Sequence, residues 1–277
     1  GKSKAYNLLR SSDVINTLNC LKKLGVKIKL NKKYCEIEGK GLNSFSKNNK
    51  KIILNAGNSG TLGRLLLGLL IHHPNKIKMI GDKSLSKRDF SRVIKPLKKF
   101  GANFKYNKQF KLPIEIKGIQ NPKNIFYQEN KGSAQCKSSI MLAALNTPGK
   151  TVIKAKKSRD HTEIFFKHLK IPIKIKKNKN FDLIKIKGKT EFKSFNYKIP
   201  SDISSSAFFI VLTLLSKKSK LTVKNVNINP SRIGIIRILN KMGAGILFTN
   251  KKTYKGEKVA DIKIESIKKF KSINCPS

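Results

Sequence analysis

The chain contains no tryptophan, four cysteines and only 15 acidic residues among its 277 positions. The cysteines, Cys20, Cys35, Cys136 and Cys275, form no Cys-x-x-Cys pair and no Cys/His cluster with metal-ligand spacing. A disulfide-stapled secreted scaffold is therefore excluded, and a reduced, cytoplasmic protein without a metal is expected. Long apolar runs are missing too. The longest, Leu65-Leu66-Leu67-Gly68-Leu69-Leu70-Ile71, falls far short of the roughly 20 residues of a membrane span. Lys2 and Lys4 lead into no apolar stretch, so no secretory leader is expected. At 39% hydrophobic the chain can still bury real cores. Its length suits about two domains of roughly 100–200 residues.

Against the few acids stand 61 basic residues, giving a formal charge of +46. Such an excess points first to nucleic acid. Only seven of the 61 are arginine, however, at 10, 64, 88, 92, 159, 232 and 237, and the lysines are scattered rather than gathered in one arm. Arginine is the residue whose planar fork matches phosphates and guanine edges. Lysine, isoleucine and asparagine share AT-rich codons, so genome composition explains the lysine excess and no nucleic-acid partner is expected. An arginine kept where lysine was mutationally easy is the better functional candidate.

Self-similarity organises the rest. Strand-like runs at 51–54, 124–128 and 195–199 each lead into a small-polar turn and an apolar helix, over 60–72, 133–146 and 204–216. The opening serines Ser59, Ser133 and Ser204 lie 74 and 71 residues apart. A second helix in each unit starts near Arg88, Arg159 or Arg232, spaced by 71 and 73. Short strands separate the two helices, and two more follow the second. Gly25, Gly101 and Gly243 fit the left-handed turn that ends a helix. The unit is thus β-α-β-α-β-β, about 71 residues long, seen three times. Residues before 40 fit the later part of a fourth copy, with Ser12-Asp13 capping its helix, and 270–277 resemble the start of a fifth. Half a repeat leaves apolar faces bare, so a fragment cut at both ends is expected.

Several helix starts look built for anions. Gly57-Asn58-Ser59-Gly60-Thr61 lies between strand and helix, with Arg64 one turn in, where free N–H groups and glycine allow a ligand close approach. Ser133 in Gly132-Ser133-Ala134-Gln135 serves either as an N-cap or as a ligand, and Gln135 either caps or reaches a ligand. In Ser158-Arg159-Asp160-His161-Thr162-Glu163, Asp160 and Glu163 resemble a capping box. Arg88 and Arg159 set positive charge at positive helix ends, which is unfavourable without an anion. Cys136 reads as a small buried thiol, and His72-His73-Pro74 as the end of a helix.

These motifs carry a resemblance. Asn58-Ser59-Gly60-Thr61-x-x-Arg64, Gly81-Asp82-x-Ser84-Leu85-x-x-Arg88, Ser133-Ala134-Gln135-x-Lys137-Ser138 and Ser158-Arg159-Asp160-His161-Thr162-Glu163 occur in order. Asp202-Ile203-Ser204-Ser205 and Asn229-Pro230-Ser231-Arg232 continue the series. Together they resemble the EPSP synthase (3-phosphoshikimate 1-carboxyvinyltransferase) family across essentially the whole chain. The resemblance implies an inside-out α/β barrel of repeated βαβαββ units, the enolpyruvate transferase fold. Residues 1–198 would form most of one domain and 199–277 the start of a second. It implies transfer of the enolpyruvyl group of phosphoenolpyruvate to the 5-hydroxyl of shikimate 3-phosphate, with no cofactor, by a cytoplasmic protein that is monomeric at full length. Gly60, Arg88 and Gln135 would contact phosphoenolpyruvate. Ser133, Ala134, Gln135, Ser158 and Arg159 would hold shikimate 3-phosphate.

Two departures stand out. Asp89 replaces the proline that usually follows the phosphoenolpyruvate-binding arginine, setting a carboxylate beside Arg88, and Gly63 replaces a larger apolar residue. The family's N-terminal Lys-Ser would precede Gly1, and its catalytic aspartate and Lys-Glu pair would follow Ser277, so the isolated chain is expected to be inactive. The alternatives are a UDP-N-acetylglucosamine enolpyruvyl transferase and a basic nucleic-acid-binding module.

Overall fold

The computed structural model describes residues 1–42, 44–45, 52–107 and 109–274. Residue 51 of the first expected strand, Cys275 and the last residues of the 270–277 stretch lie outside the described residues.

In chain order, a partial repeat holds β1 (Lys2–Tyr6), α1 (Ser12–Lys23), β2 (Lys27–Leu30) and β3 (Tyr34–Glu38). The next comprises β4 (Ile52–Asn55), α2 (Gly60–Leu70), β5 (Lys76–Ile80), the single turn α3 (Lys83–Ser86), α4 (Ser91–Lys99), β6 (Asn103–Lys105) and β7 (Ile114–Lys117). A third has β8 (Phe126–Glu129), α5 (Ala134–Leu145), β9 (Lys150–Lys156), α6 (His161–His168), β10 (Ile173–Lys177) and β11 (Phe181–Lys187). Then come β12 (Asn196–Lys198), α7 (Ile203–Leu215), β13 (Lys220–Asn227), α8 (Gly234–Lys241), β14 (Leu247–Tyr254) and β15 (Glu257–Glu265).

The repeat is therefore real, and its sheets share one topology. The orders β4-β5-β7-β6 and β8-β9-β11-β10 match strand for strand, with the first pair parallel and the others antiparallel. Parallel neighbours require a crossover, which α2 and α5 supply. Burial alternates along β9 and β11, where Ile153, Ala155, Ile184 and Ile186 point inward and lysines outward. Gly25, Gly101 and Gly243 adopt φ of 86°, 108° and 93° after α1, α4 and α8, as expected of helix-ending glycines.

One strand belongs elsewhere than its position in the period implies. β12 opens the third full repeat in sequence, yet it pairs in parallel with β1, Lys4 opposite Asn196, and completes the first sheet as β12-β1-β3-β2. That sheet thereby acquires the order of the other two. The sheet after β12 keeps three strands, β13-β15-β14, with one parallel bridge from Ser201 to Val226 in place of a first strand. β1 itself was not anticipated, because Lys2-Ser3-Lys4-Ala5-Tyr6 carries little apolar pattern.

By their contacts the residues form two compact units, residues 1–158 with 169–198, and residues 159–168 with 199–277. α6 therefore belongs with the second unit. That unit's core is Ile203, Ile210, Leu214, Val226, Ile236, Ile262 and Ile264, with Phe270 packed against it. Residues 270–274 form no helix or strand. α7 is capped by Asp202 rather than Ser204, its carboxylate accepting from the Ser205 N–H at 2.8 Å. It also exposes Phe208, Phe209, Leu212 and Leu215 at 62–79%. No helix among the described residues is long and apolar enough to cross a membrane.

In the first unit α2 and α5 lie against each other in near backbone contact. A Cβ on Gly68 would overlap the backbone carbonyl of Ser139. Around this point Ser139 Oγ donates to the Arg64 carbonyl at 2.9 Å, and His72 Nε2 lies 3.3 Å from the Ala143 carbonyl. The pairs 64–135, 68–139 and 72–143 are each 71 residues apart, so equivalent repeat positions sit side by side and the helices run in the same direction. Gly68→Ala is expected to force the pair apart and cost about 1–3 kcal/mol of stability, read as a lowered unfolding midpoint in urea with an unchanged slope.

Candidate functional site

Because α2 and α5 are parallel neighbours, their N-termini meet at one end. Ser59 Oγ accepts from the Leu62 N–H and Ser133 Oγ from the Cys136 N–H, both at 3.2 Å, so each serine caps its helix. Two such ends concentrate positive potential, each favouring an anion by about 0.3–1 kcal/mol when exposed.

Guanidinium groups gather at the same place. Arg64, one turn into α2, donates from Nη1 to Gln135 Oε1 at 2.8 Å and from Nη2 to the Asp89 carbonyl at 3.3 Å. Its guanidinium carbon sits 5.0 Å from the centroid of the Phe90 ring. Burial lowers its pKa, and the charges of Arg88 and Arg92 lower it further, with Asp89 opposing. Gln135 Nε2 donates onward to Thr61 Oγ1 at 2.9 Å. Arg88 lies in the turn after α3 and donates to Asn58 Oδ1 at 3.2 Å, while Asn58 Nδ2 donates to Asp82 Oδ2 at 2.6 Å. A Cβ on Gly60 would stand 2.7 Å from Arg64 Nη1 and 3.2 Å from Arg88 Nη1. Both arginines thus close over the bare face of that glycine.

The structure brings Gly60, Arg88, Ser133, Ala134 and Gln135 to the paired helix ends. Arg64, Asn58 and Thr61, which the sequence placed in an anion-type helix start but gave no contact of their own, join them. The Asn58…Arg64 motif and the scarcity of arginine were the available signals. Arg92 was missed as well; it lies four residues beyond Arg88, in the first turn of α4. Ser158 falls in the first unit, with a buried Oγ that has no hydrogen-bond partner among the described residues. Arg159 is exposed and falls in the second unit. Asp160 directly precedes α6, and its Oδ1 accepts from Asn229 Nδ2 at 2.8 Å.

Asp89 does not oppose Arg88 as its sequence position implies. Its carboxylate turns to the start of α4, where it accepts from the Ser91 N–H at 2.7 Å and the Ser91 hydroxyl at 2.6 Å. Burial raises its pKa, but these bonds and the charges of Arg92 and Lys95 carry it below the ordinary 3.8. Its carbonyl, rather than its carboxylate, takes the hydrogen bond from Arg64. Asp82 is likewise held below 3.8, mainly by the Leu85 N–H and then by Asn58. Both carboxyls are ionised at neutral pH, so neither is a ready proton donor.

Cys136 is buried, its Sγ 2.8 Å from the Arg92 carbonyl. Burial and then the Glu129 carboxylate push its thiol up to about 12, which removes it as a nucleophile. Glu129 itself accepts from the N–H groups of Lys131 and Ser133 at 3.0 and 3.1 Å, shaping the approach to α5. A cavity of about 860 Å3 opens at the opposite end of the two helices, beside Leu69, His72, Leu142, Leu145 and Phe192. No arginine lines it, and burial drops His72 to about 4, so it offers no comparable anion receptor. The arginine cluster can grip a multiply charged anion and orient it.

Residues 1–274 match the EPSP synthase (3-phosphoshikimate 1-carboxyvinyltransferase) family. The 3-phosphoshikimate 1-carboxyvinyltransferase of Ruthia magnifica subsp. Calyptogena magnifica is 42% identical over 277 residues, covering 100% of this chain and 62% of the relative. That of Caldicellulosiruptor saccharolyticus is 40% identical over 264 residues, covering 95% and 60%. The solved EPSP synthase of Acinetobacter baumannii superposes with a TM-score of 0.86 at 35% identity, covering 100% of this chain and 61% of that one. The chain spans about three fifths of the length of these relatives.

Gly60→Ala is expected to displace two flexible guanidinium tips rather than backbone. Orthophosphate affinity at low salt, followed by NMR titration, should fall several-fold while stability changes by less than about 0.5 kcal/mol. Asp82 and Asp89 have folded pKa values below the unfolded 3.8. Their contribution to stability is full above that value and is lost as pH falls through the folded ones. Acid titration should therefore unfold the wild type more steeply below pH ~4 than Asp89→Asn.

Proposed function

Because the chain belongs to the EPSP synthase family, we propose that it forms the larger part of a 3-phosphoshikimate 1-carboxyvinyltransferase. The reaction adds the 5-hydroxyl of shikimate 3-phosphate to C2 of phosphoenolpyruvate as a proton joins the methylene carbon. Phosphate then leaves as a proton is lost, giving 5-enolpyruvylshikimate 3-phosphate. Both partners are polyanions, and holding them together supplies much of such a rate enhancement.

The observation that carries this reading is the closure of Arg64 and Arg88 over Gly60 at two parallel helix ends. In the proposed roles, Arg88 grips phosphoenolpyruvate against the bare face of Gly60. Arg64 fixes Gln135, which then faces both substrates. Ser133 and the Ala134 backbone hold shikimate 3-phosphate, to which Ser158 and Arg159 contribute. The domain reading is 1–198 and 199–277, with α6 lent to the second. The proton-transferring groups are not among the carboxylates of the cluster, and no cofactor, nucleic acid or membrane partner enters the proposal. A cytoplasmic monomer completes it.

Phosphate release from phosphoenolpyruvate, dependent on shikimate 3-phosphate, is the direct test. The longer polypeptide carrying this chain should show it, and Arg88→Ala there should raise the KM for phosphoenolpyruvate at least tenfold. The 277 residues alone should bind without turnover. Release driven by UDP-N-acetylglucosamine instead would overturn the assignment, and turnover by the isolated chain would overturn its second part.

A further inference from the structure

The functional reading assigns no role to two motifs, Asp160-His161 and Asn229-Pro230-Ser231, or to the buried carboxylate of Glu257. The second unit joins all three. Glu257 opens β15 immediately after a tight turn in which Lys255 and Gly256 have φ of 50° and 86°. Its side chain is only 8% exposed, with Oε1 2.6 Å from His161 Nδ1. Its other oxygen accepts from Asn227 Nδ2 at 3.1 Å. Burial would raise this carboxyl, but the hydrogen bonds from His161 and Asn227 carry it below its ordinary value. It is a buried anion held by partners on both oxygens.

Asn229 does the same for the neighbouring residue. It is 4% exposed and donates from Nδ2 to Asp160 Oδ1 at 2.8 Å. Its Oδ1 accepts from the N–H and the hydroxyl of Ser231 at 2.9 and 2.7 Å, and its own N–H donates to Asn227 Oδ1 at 2.9 Å. A Cβ on Gly256 would lie 2.8 Å from Ile164 Cγ2, so the turn before Glu257 packs directly on α6. The residue before α6 and the residue that opens it are therefore each tied to the β13–β15 framework. Arg159 is the next residue back along the chain.

We propose that Glu257 and Asn229 are positioning residues, which fix His161 and Asp160 and so set where Arg159 projects to grip the phosphate of the acceptor. This rests on the reading that Arg159 holds shikimate 3-phosphate. A role in stability alone would leave Arg159 independent of Glu257.

The 277-residue chain is titrated with shikimate 3-phosphate, and amide hydrogen exchange is followed in parallel. Glu257→Ala is expected to weaken binding at least fivefold and to speed exchange at residues 161–164 at least tenfold, with β9 unchanged. Glu257→Gln retains an oxygen that accepts from His161 and is expected to restore both. Should Glu257→Ala not fold, His161→Ala cuts the same link from a side chain 39% exposed and carries the same expectations. Glu257→Ala combined with Arg159→Ala is expected to bind no more weakly than Arg159→Ala alone. Additive losses, or unchanged exchange at 161–164, overturn the proposal. If the unsubstituted chain does not bind shikimate 3-phosphate, the functional reading is what fails. The exchange rates and their recovery in Glu257→Gln then decide the positioning role by themselves.

Discussion

Helices α2 and α5 approach with almost nothing between their backbones at Gly68 and Ser139, and the rest of the first unit follows from that contact. Close packing without an intervening side chain holds the helices parallel and in step, so their N-termini end together. Only then do Ser59 and Ser133 cap neighbouring ends, and only then does Arg64 of one helix reach Gln135 of the other at 2.8 Å. The interval between interacting residues equals the length of the repeat. A duplicated unit that pairs with its own copy therefore brings equivalent residues into register without any further device.

The charge of the site has the same origin. Burial, and then the charges of Arg88 and Arg92, lower the pKa of Arg64, an arrangement unfavourable by itself. Nearby carboxylates relieve it only in part: Asp89 opposes the shift of Arg64, but Asp82 and Asp89 spend their hydrogen bonds on the starts of α3 and α4. A fold that crowds cations at two positive helix ends and commits the hydrogen bonds of its nearest acids to helix starts is suited to a polyanionic ligand. Most of the +46 lies elsewhere, on lysines spread over strands, helices and loops.

Much of this was legible in the residues. The 71-residue period, the apolar helices and the glycines at helix ends are local signals, and each reappears within a few residues of its expected place. What could not be read is non-local. The pattern over 195–199 says strand but not which sheet it joins, and β12 completes a repeat begun at the other end of the unit. Asp89 looks hostile to an anion in sequence, whereas its rotamer points to Ser91 and its carbonyl accepts from Arg64. The assignment of α6 to the second unit was invisible for the same reason, since Glu257 lies 96 residues beyond His161.

The pairing of β1 with β12 also sets a timetable. Lys4 and Asn196 are 192 residues apart. At about 5–20 residues per second, a nascent chain needs on the order of 10–40 s to deliver the strand that closes its first sheet. Throughout that interval β1 is an open edge, the kind of surface on which chains aggregate. Two of its five residues are Lys2 and Lys4, charges that discourage a stranger's strand until the proper one emerges. Lysines outside the arginine cluster thereby put charge on the edge that waits longest for its partner.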